Sequence, residues 1–171
     1  MITSNIQALN DRTIILASKS PRRKMLFEAL GFPFQIKIHE VDESFSNDLK
    51  GGEIPEYLAR KKADAFDHEI VSKEIVITAD TVVWVNDHAL NKPESKEEAK
   101  SMLEELSGAT HSVFTGVCIK TMSSTHSFFE ETKVTFNDLS AEEIDFYLKN
   151  YKPLDKAGAY GIQEFIGLIG I

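Results

Sequence analysis

Cysteine is nearly absent: Cys118 is the one thiol in 171 residues. A single thiol excludes an internal disulfide framework and any cysteine-based zinc centre, and it fits a reducing, cytoplasmic setting. No apolar run approaches the roughly 20 residues that span a bilayer, so a membrane is not an expected partner. Residues 1–13 (MITSNIQALNDRT) carry neither the basic start nor the apolar stretch of a signal peptide. Positive charge is also scarce. Nineteen Lys and Arg stand against 27 Asp and Glu, a net charge of -8. Long nucleic acid is thereby excluded as a general partner, because a chain of phosphates needs a broad positive face. A small anion in a locally basic pocket remains compatible with that balance. Nine glycines and five prolines are too few for a collagen-like or low-complexity chain. What is present, 42% hydrophobic and 27% charged residues, describes an ordinary globular chain long enough to bury a core.

No repeat or long linker divides the chain, which reads as one compact unit. Residues 12–17 (RTIILA) have the β-branched, apolar character of a buried strand. The following SKSPRRKMLFEALG predicts a helix, with Ser20 as N-cap, Pro21 at the first helical position and Gly31 as the stop. Met25, Leu26, Ala29 and Leu30 form its expected inward stripe. A strand over 34–38, a polar loop over 40–52 and a helix over 55–68 follow. Residues 74–79 and 81–85 are a strongly apolar stretch broken by Asp80, and Asn86-Asp87 supplies a turn. Ser95 to Glu98 and Ser140 to Glu143 read as capping boxes, opening one helix that ends at Ser107-Gly108 and another through Tyr147 and Leu148. Strands are expected over 111–121 and 125–136, and the tail is Gly-rich and turn-like, then apolar. Strands alternating with helices, plus neighbouring antiparallel strands, give an α/β protein with a mixed sheet.

Three places carry chemistry. Ser18-Lys19-Ser20-Pro21-Arg22-Arg23 sits at a strand-to-helix junction, where unpaired N–H groups and the helix dipole make an anion site. The plain alternative is an N-cap followed by solvated arginines. Asp80 interrupts a run of β-formers, so it must be paired, metal-bound or at a strand end facing a cleft; a turn-capping Asp is the competing reading. Lys62 lies at helical spacing between Leu58 and Phe66, on the apolar face. Either its stem snorkels to the rim or its charge emerges in an anion-binding cleft. Lys92 and Lys156 add loop cations that solvation alone would explain. Asp42-Glu43 could bind a divalent metal or simply face water. The five histidines show no metal-ligand spacing, Cys118 reads as an inert core thiol, and no P-loop, GxGxxG or GxSxG occurs.

Taken together, LASKSPRRKML, VDES, LARKKA, ITADTVV, NKPESKEEAKSML, LSGATHSVFTGV and DKAGAYGIQ resemble, in order and over nearly the whole chain, the Maf family of nucleoside triphosphate pyrophosphatases. The resemblance implies a single domain over 1–171 with a Maf/Ham1 (ITPase-like) mixed α/β architecture, two lobes and a cleft between them. It implies hydrolysis of a nucleoside triphosphate to monophosphate and pyrophosphate with Mg²⁺ or Mn²⁺. By motif, Asp80 matches the proton acceptor and a metal ligand, and Glu43 an acidic, metal-binding position. Ser20, Arg23, Lys62, Lys92 and Lys156 match positions around the phosphates. Members acting on dTTP and UTP have Arg, Thr and Gln where this chain has Arg22, Thr81 and Gln163, whereas those acting on 7-methyl-GTP have Trp, Gln and Glu.

The expectation is therefore a dTTP/UTP pyrophosphatase in house-cleaning of modified nucleotides, with a homodimer implied by the resemblance alone. The competing class is a non-catalytic nucleotide-binding regulator of septum formation and cell division. Two departures stand out. Glu164 occupies a place where the family often has Gly, which puts the local loop path in question. The chain also stops at Ile171, short of the family's closing Asn-Val-x-Gly-Leu-Pro segment and terminal helix, and so reads as cut short.

Overall fold

The computed structural model describes Leu9 and residues 11–171, so most of the amino-terminal stretch read above lies outside the described residues. Two compact units are formed. One takes the described residues up to Asn47 with Glu53–Asp80 and Gly116–Phe129; the other takes Asp48–Gly52, Thr81–Thr115 and Glu130–Ile171.

In the first unit, β1 (Thr13–Leu16) pairs in parallel with β2 (Phe34–Ile36) and with the start of β3 (Glu74–Val85), setting Ile14 opposite Phe34 and Ile75. Ile15, Phe66, Ile70 and Val76 close one apolar cluster, and Ala59, Ala63 and Cys118 another. Between β1 and β2, α1 (Pro21–Ala29) starts as expected. The Ser20 hydroxyl accepts from the Arg23 amide, Pro21 opens the helix, and Gly31 follows at φ +76.

Its expected inward stripe is corrected. Met25, Leu26 and Leu30 are 55%, 63% and 58% exposed, and α1 buries no residue. Apolar spacing marks a face, but burial needs an element to cover it. The α1 ring that does pack is Phe27, edge-on to Phe34 at 5.5 Å. Next, α2 (Glu53–Asp64) begins two residues earlier than expected, with Glu53 and Glu56 favouring its positive end, and stops four earlier. Tight bonds from Phe66 to Ala63 and from Asp67 to Asp64 take over there.

Strand β3 runs unbroken from Glu74 to Val85, with Asp80, the acid that interrupts its apolar pattern, 9% exposed inside it. It turns back through Asn86 and Asp87, both at positive φ, into β4 (His88–Leu90), which pairs antiparallel with it. With β5 (Thr110–Lys120) and β6 (Thr125–Thr135) the described residues build a six-stranded mixed sheet in the order β2-β1-β3-β5-β6, with β4 on β3. Strands β3, β5 and β6 each run on from one unit into the other. No helix of the described residues is long and apolar enough to cross a membrane.

In the second unit, α3 (Lys96–Leu106), α4 (Ala141–Tyr151) and α5 (Phe165–Ile169) surround a core that includes Val83, Leu103, Leu106, Phe136, Tyr147 and Ile166. The box at Ser140 is complete, each partner bonding the other's backbone. That at Ser95 is half-formed: Ser95 caps Glu98, but the Glu98 carboxylate takes the Glu94 amide at 2.7 Å. The tail is more ordered than its composition predicts, with 3₁₀ turns at Pro153–Asp155 and Ala157–Ala159 before α5.

Two features expose the packing to test. A Cβ added at Gly116 would lie 2.2 to 2.3 Å from backbone atoms of Pro55 and Glu56, so β5 meets α2 backbone to backbone. Gly116→Ala is expected to cost about 3 kcal/mol or more, read from denaturant unfolding. His111 is 3% exposed, with Nε2 2.7 Å from the Tyr160 hydroxyl, and burial pushes its imidazole from 6.5 down to about 4. Between those values the unfolded chain binds the proton and the folded one does not. Stability from this site is thus complete above 6.5 and lost as pH falls towards 4. His111→Gln should flatten the fall in Tm between pH 7 and 4.5; an unchanged slope would place the acid sensitivity elsewhere.

Candidate active site

In the first unit, Thr78 is fully buried and donates its hydroxyl to the Ala59 carbonyl at 2.6 Å. Thr78 and Asp80 share one face of β3 by the two-residue period, and Ala59 and Lys62 share one side of α2. That single bond therefore sets the register in which Lys62 meets Asp80. The Lys62 ammonium pairs with Asp80 Oδ1 and, at 3.0 Å, with Glu43 Oε1. The Lys62 and Asp80 side chains are only 15% and 12% exposed, against 49% for Glu43. Of the alternatives for Asp80, the structure takes the paired one. The Lys62 ammonium is held by these two carboxylates.

Arg23 completes the cluster. Burial lowers its guanidinium below the ordinary value, while the Asp80 and Glu43 carboxylates raise it and Arg22 lowers it further. Arg23 therefore lies within the field of both acids, one turn from the Ser20 cap. The Ser20 hydroxyl accepts from the Arg23 amide at 3.4 Å, which still leaves its proton to donate. Ser18, 7% exposed, accepts from the Ser20 amide. Lys19 turns away to Glu40 at 2.8 Å. The acidic pair is likewise divided. Asp42 accepts from the Ser44 amide and hydroxyl and from Lys61, while Glu43 reaches Lys62.

Thr81, Lys92, Lys156 and Gln163 belong to the second unit. The Thr81 hydroxyl is 3.3 Å from that of Thr115. Lys92 is exposed after β4, and Gln163 is exposed in the turn before α5. Lys156 is not the solvated loop lysine that its surroundings in sequence suggest. It is 6% exposed, 2.9 Å from Asp155 and 3.1 Å from Glu164. Two polar contacts have no signal in the sequence pattern: Thr78, two places before Asp80, reads as a β-former, and Tyr147, whose hydroxyl reaches Glu164, as a core aromatic.

Two surface hollows, of about 290 and 330 Å³, lie at Lys96, Lys100 and Asp145 and at Asp11, Arg12 and Lys73. Neither includes these residues, so side-chain chemistry rather than cavity shape marks the site. Among the described residues no group of three His, Cys, Asp or Glu is placed to hold a metal ion. Glu43 and Asp80, drawn to one ammonium, do fit a cation of the Mg²⁺ kind, which takes one or two carboxylates and fills its other positions with phosphate oxygens and water.

The fold resembles that of the Staphylococcus aureus Ham1 protein, with a TM-score of 0.55 at 16% identity, over 74% of this chain and 73% of that one. The likeness is one of fold, and the class it defines is a mixed α/β protein. Residues 13–171 match the Maf family model, described as Maf-like protein, and the chain belongs to that family. A Flavobacterium psychrophilum relative named dTTP/UTP pyrophosphatase is 50% identical over 158 residues, covering 92% of this chain and 81% of its own length. A Bacteroides thetaiotaomicron relative with the same name is 51% identical over 164 residues, 95% of this chain and 85% of the relative.

Proposed function

We propose that this chain hydrolyses dTTP and UTP to the monophosphate and pyrophosphate, in the cytoplasm, as house-cleaning of non-canonical or modified nucleotides. The observation that carries the reading is the Lys62–Asp80 pair, with Glu43 and Arg23 beside it. The half-identical relatives that bear the name dTTP/UTP pyrophosphatase supply the substrate class.

A nucleoside triphosphate brings about four negative charges, which preorganised cations must meet where the charge shifts during reaction. Arg23, Lys62, Lys92 and Lys156 take the phosphate oxygens, and the Ser20 hydroxyl donates at the helix start. Lys62 fixes one oxygen of Asp80, so the other accepts from a water and holds it in line with the α-phosphorus. The new P–O bond forms as the bond from the α-phosphorus to the bridging oxygen breaks. Pyrophosphate leaves with the electron pair, and the water's proton passes to Asp80. Glu43 and Asp80 would hold Mg²⁺ or Mn²⁺, which when bound supplies charge neutralisation at the phosphate oxygens. Arg22, Thr81 and Gln163 read the base edge, since hydrogen bonds separate nucleobases where apolar contacts cannot. The buried pairing at Asp80 gives the hydrolytic reading more support than a purely regulatory binding role.

Asp80→Asn keeps the shape and an acceptor for Lys62. It is expected to fold normally and lower kcat by about a hundredfold or more, measured by pyrophosphate release; wild-type turnover in that variant would overturn the role. Arg22→Trp should lower kcat/KM for dTTP and UTP by about tenfold or more relative to other triphosphates in a nucleotide panel. Equal loss on every nucleotide would make Arg22 a general phosphate contact.

A further inference from the structure

The second unit buries a charge in a connected chain of contacts. The Lys156 side chain is 7% exposed, and its ammonium donates to Asp155 at 2.9 Å and meets Glu164 Oε1 at 3.1 Å. The other Glu164 oxygen accepts from the Tyr147 hydroxyl. That same hydroxyl accepts from the Gly161 amide at 3.1 Å. Tyr147 is fully buried, and burial, reinforced by Glu164, holds its phenol well above the usual range, so it remains a donor. A Cβ on Gly161 would stand 3.2 Å from both the Glu164 carboxyl and Lys156 Cε, so the group is packed against this backbone. Finally the Glu164 amide returns to the Gly161 carbonyl at 2.9 Å. The bond closes a four-residue turn whose middle residues, Ile162 and Gln163, are exposed.

We infer that Glu164 is a positioning residue for substrate recognition, one carboxylate that aims the Lys156 ammonium and holds the turn presenting Gln163. The inference rests on the proposed reading of Lys156 and Gln163 as substrate contacts. An ammonium has three N–H groups. Asp155 and Glu164 take two, and the third is left for a phosphate oxygen. Asp155 and Glu164 offset the charge of the ammonium they hold, so Lys156 contributes through a directed hydrogen bond more than through general attraction. Its direction is then the operative quantity, and Glu164 sets it. Because the Glu164 carboxylate is engaged by Lys156 and Tyr147 and acts through them, its removal acts on binding more than on the chemical step.

Glu164→Ala, Glu164→Gln and Tyr147→Phe in the full chain test this, with steady-state kinetics on dTTP and UTP and amide hydrogen exchange at Gly161. Glu164→Ala should raise KM about tenfold with kcat within about threefold. Glu164→Gln, which keeps an acceptor, should recover most of that loss. Exchange at Gly161 should quicken about tenfold in Glu164→Ala and in Tyr147→Phe. Unchanged KM, or a fall in kcat alone, would overturn the inference. So would a lower KM in both Glu164 variants, since the carboxylate would then act by repelling the triphosphate. If the wild-type chain turns over no triphosphate, the functional reading fails by itself. Gly161 exchange in the same variants still decides the positioning role, and unchanged protection overturns it.

Discussion

A carboxylate can stand in the middle of a buried strand only if something meets its charge, and here that is the ammonium of Lys62. Left unpaired there, the charge would carry the full cost of its lost hydration, and the pairing offsets that cost within an unbroken β3. The bond from Thr78 to the Ala59 carbonyl makes the meeting reproducible by locking α2 to β3 two residues before the acid. Buried ion pairs seldom add much net stability, because desolvation offsets the attraction. The worth of this one lies in what it orients: a carboxylate with one oxygen fixed, a second acid on the same ammonium, and the Arg23 guanidinium in the field of both.

The same solution recurs. Lys62 is matched by Glu43 and Asp80, Lys120 by Asp64 and Asp67, and Lys156 by Asp155 and Glu164. In each case an ammonium whose side chain is no more than 15% exposed faces two acids. Each inward ammonium thus has more than one acceptor to replace its lost hydration, and four of the six acids stay about half exposed or more. Net charge alone describes the surface poorly in such a chain.

What could be read from the sequence was local. Ser20 with Pro21, Ser140 with Glu143, and Asn86-Asp87 each act through neighbours in the chain, and each forms as read. Asp80 and Lys62 were conspicuous because a charge in an apolar pattern violates the local rule, and that violation marks the candidate site. What escaped depends on distant partners. The stripe on α1 has helical spacing, yet no described element covers it. The Glu98 carboxylate takes the amide of Glu94 instead of that of Ser95, a choice between adjacent amides that spacing does not decide. Thr78 looked like any β-former, and Tyr147 like any core ring, until Ala59 and Glu164 were brought to their hydroxyls. Glu164 drew notice as a departure from a motif, but its engagement with Lys156 is a tertiary fact.

Cys118 carries a consequence of its own. It lies fully buried against Ala59 and Ala63, and burial, with Asp64 nearby, raises its thiol above the ordinary range. The reactive thiolate is therefore scarce and sheltered, so oxidants and alkylating agents find no handle while the seam between β5 and α2 stays shut. The lone thiol becomes a tell-tale of that seam, silent in the intact protein and reactive only when strand and helix part.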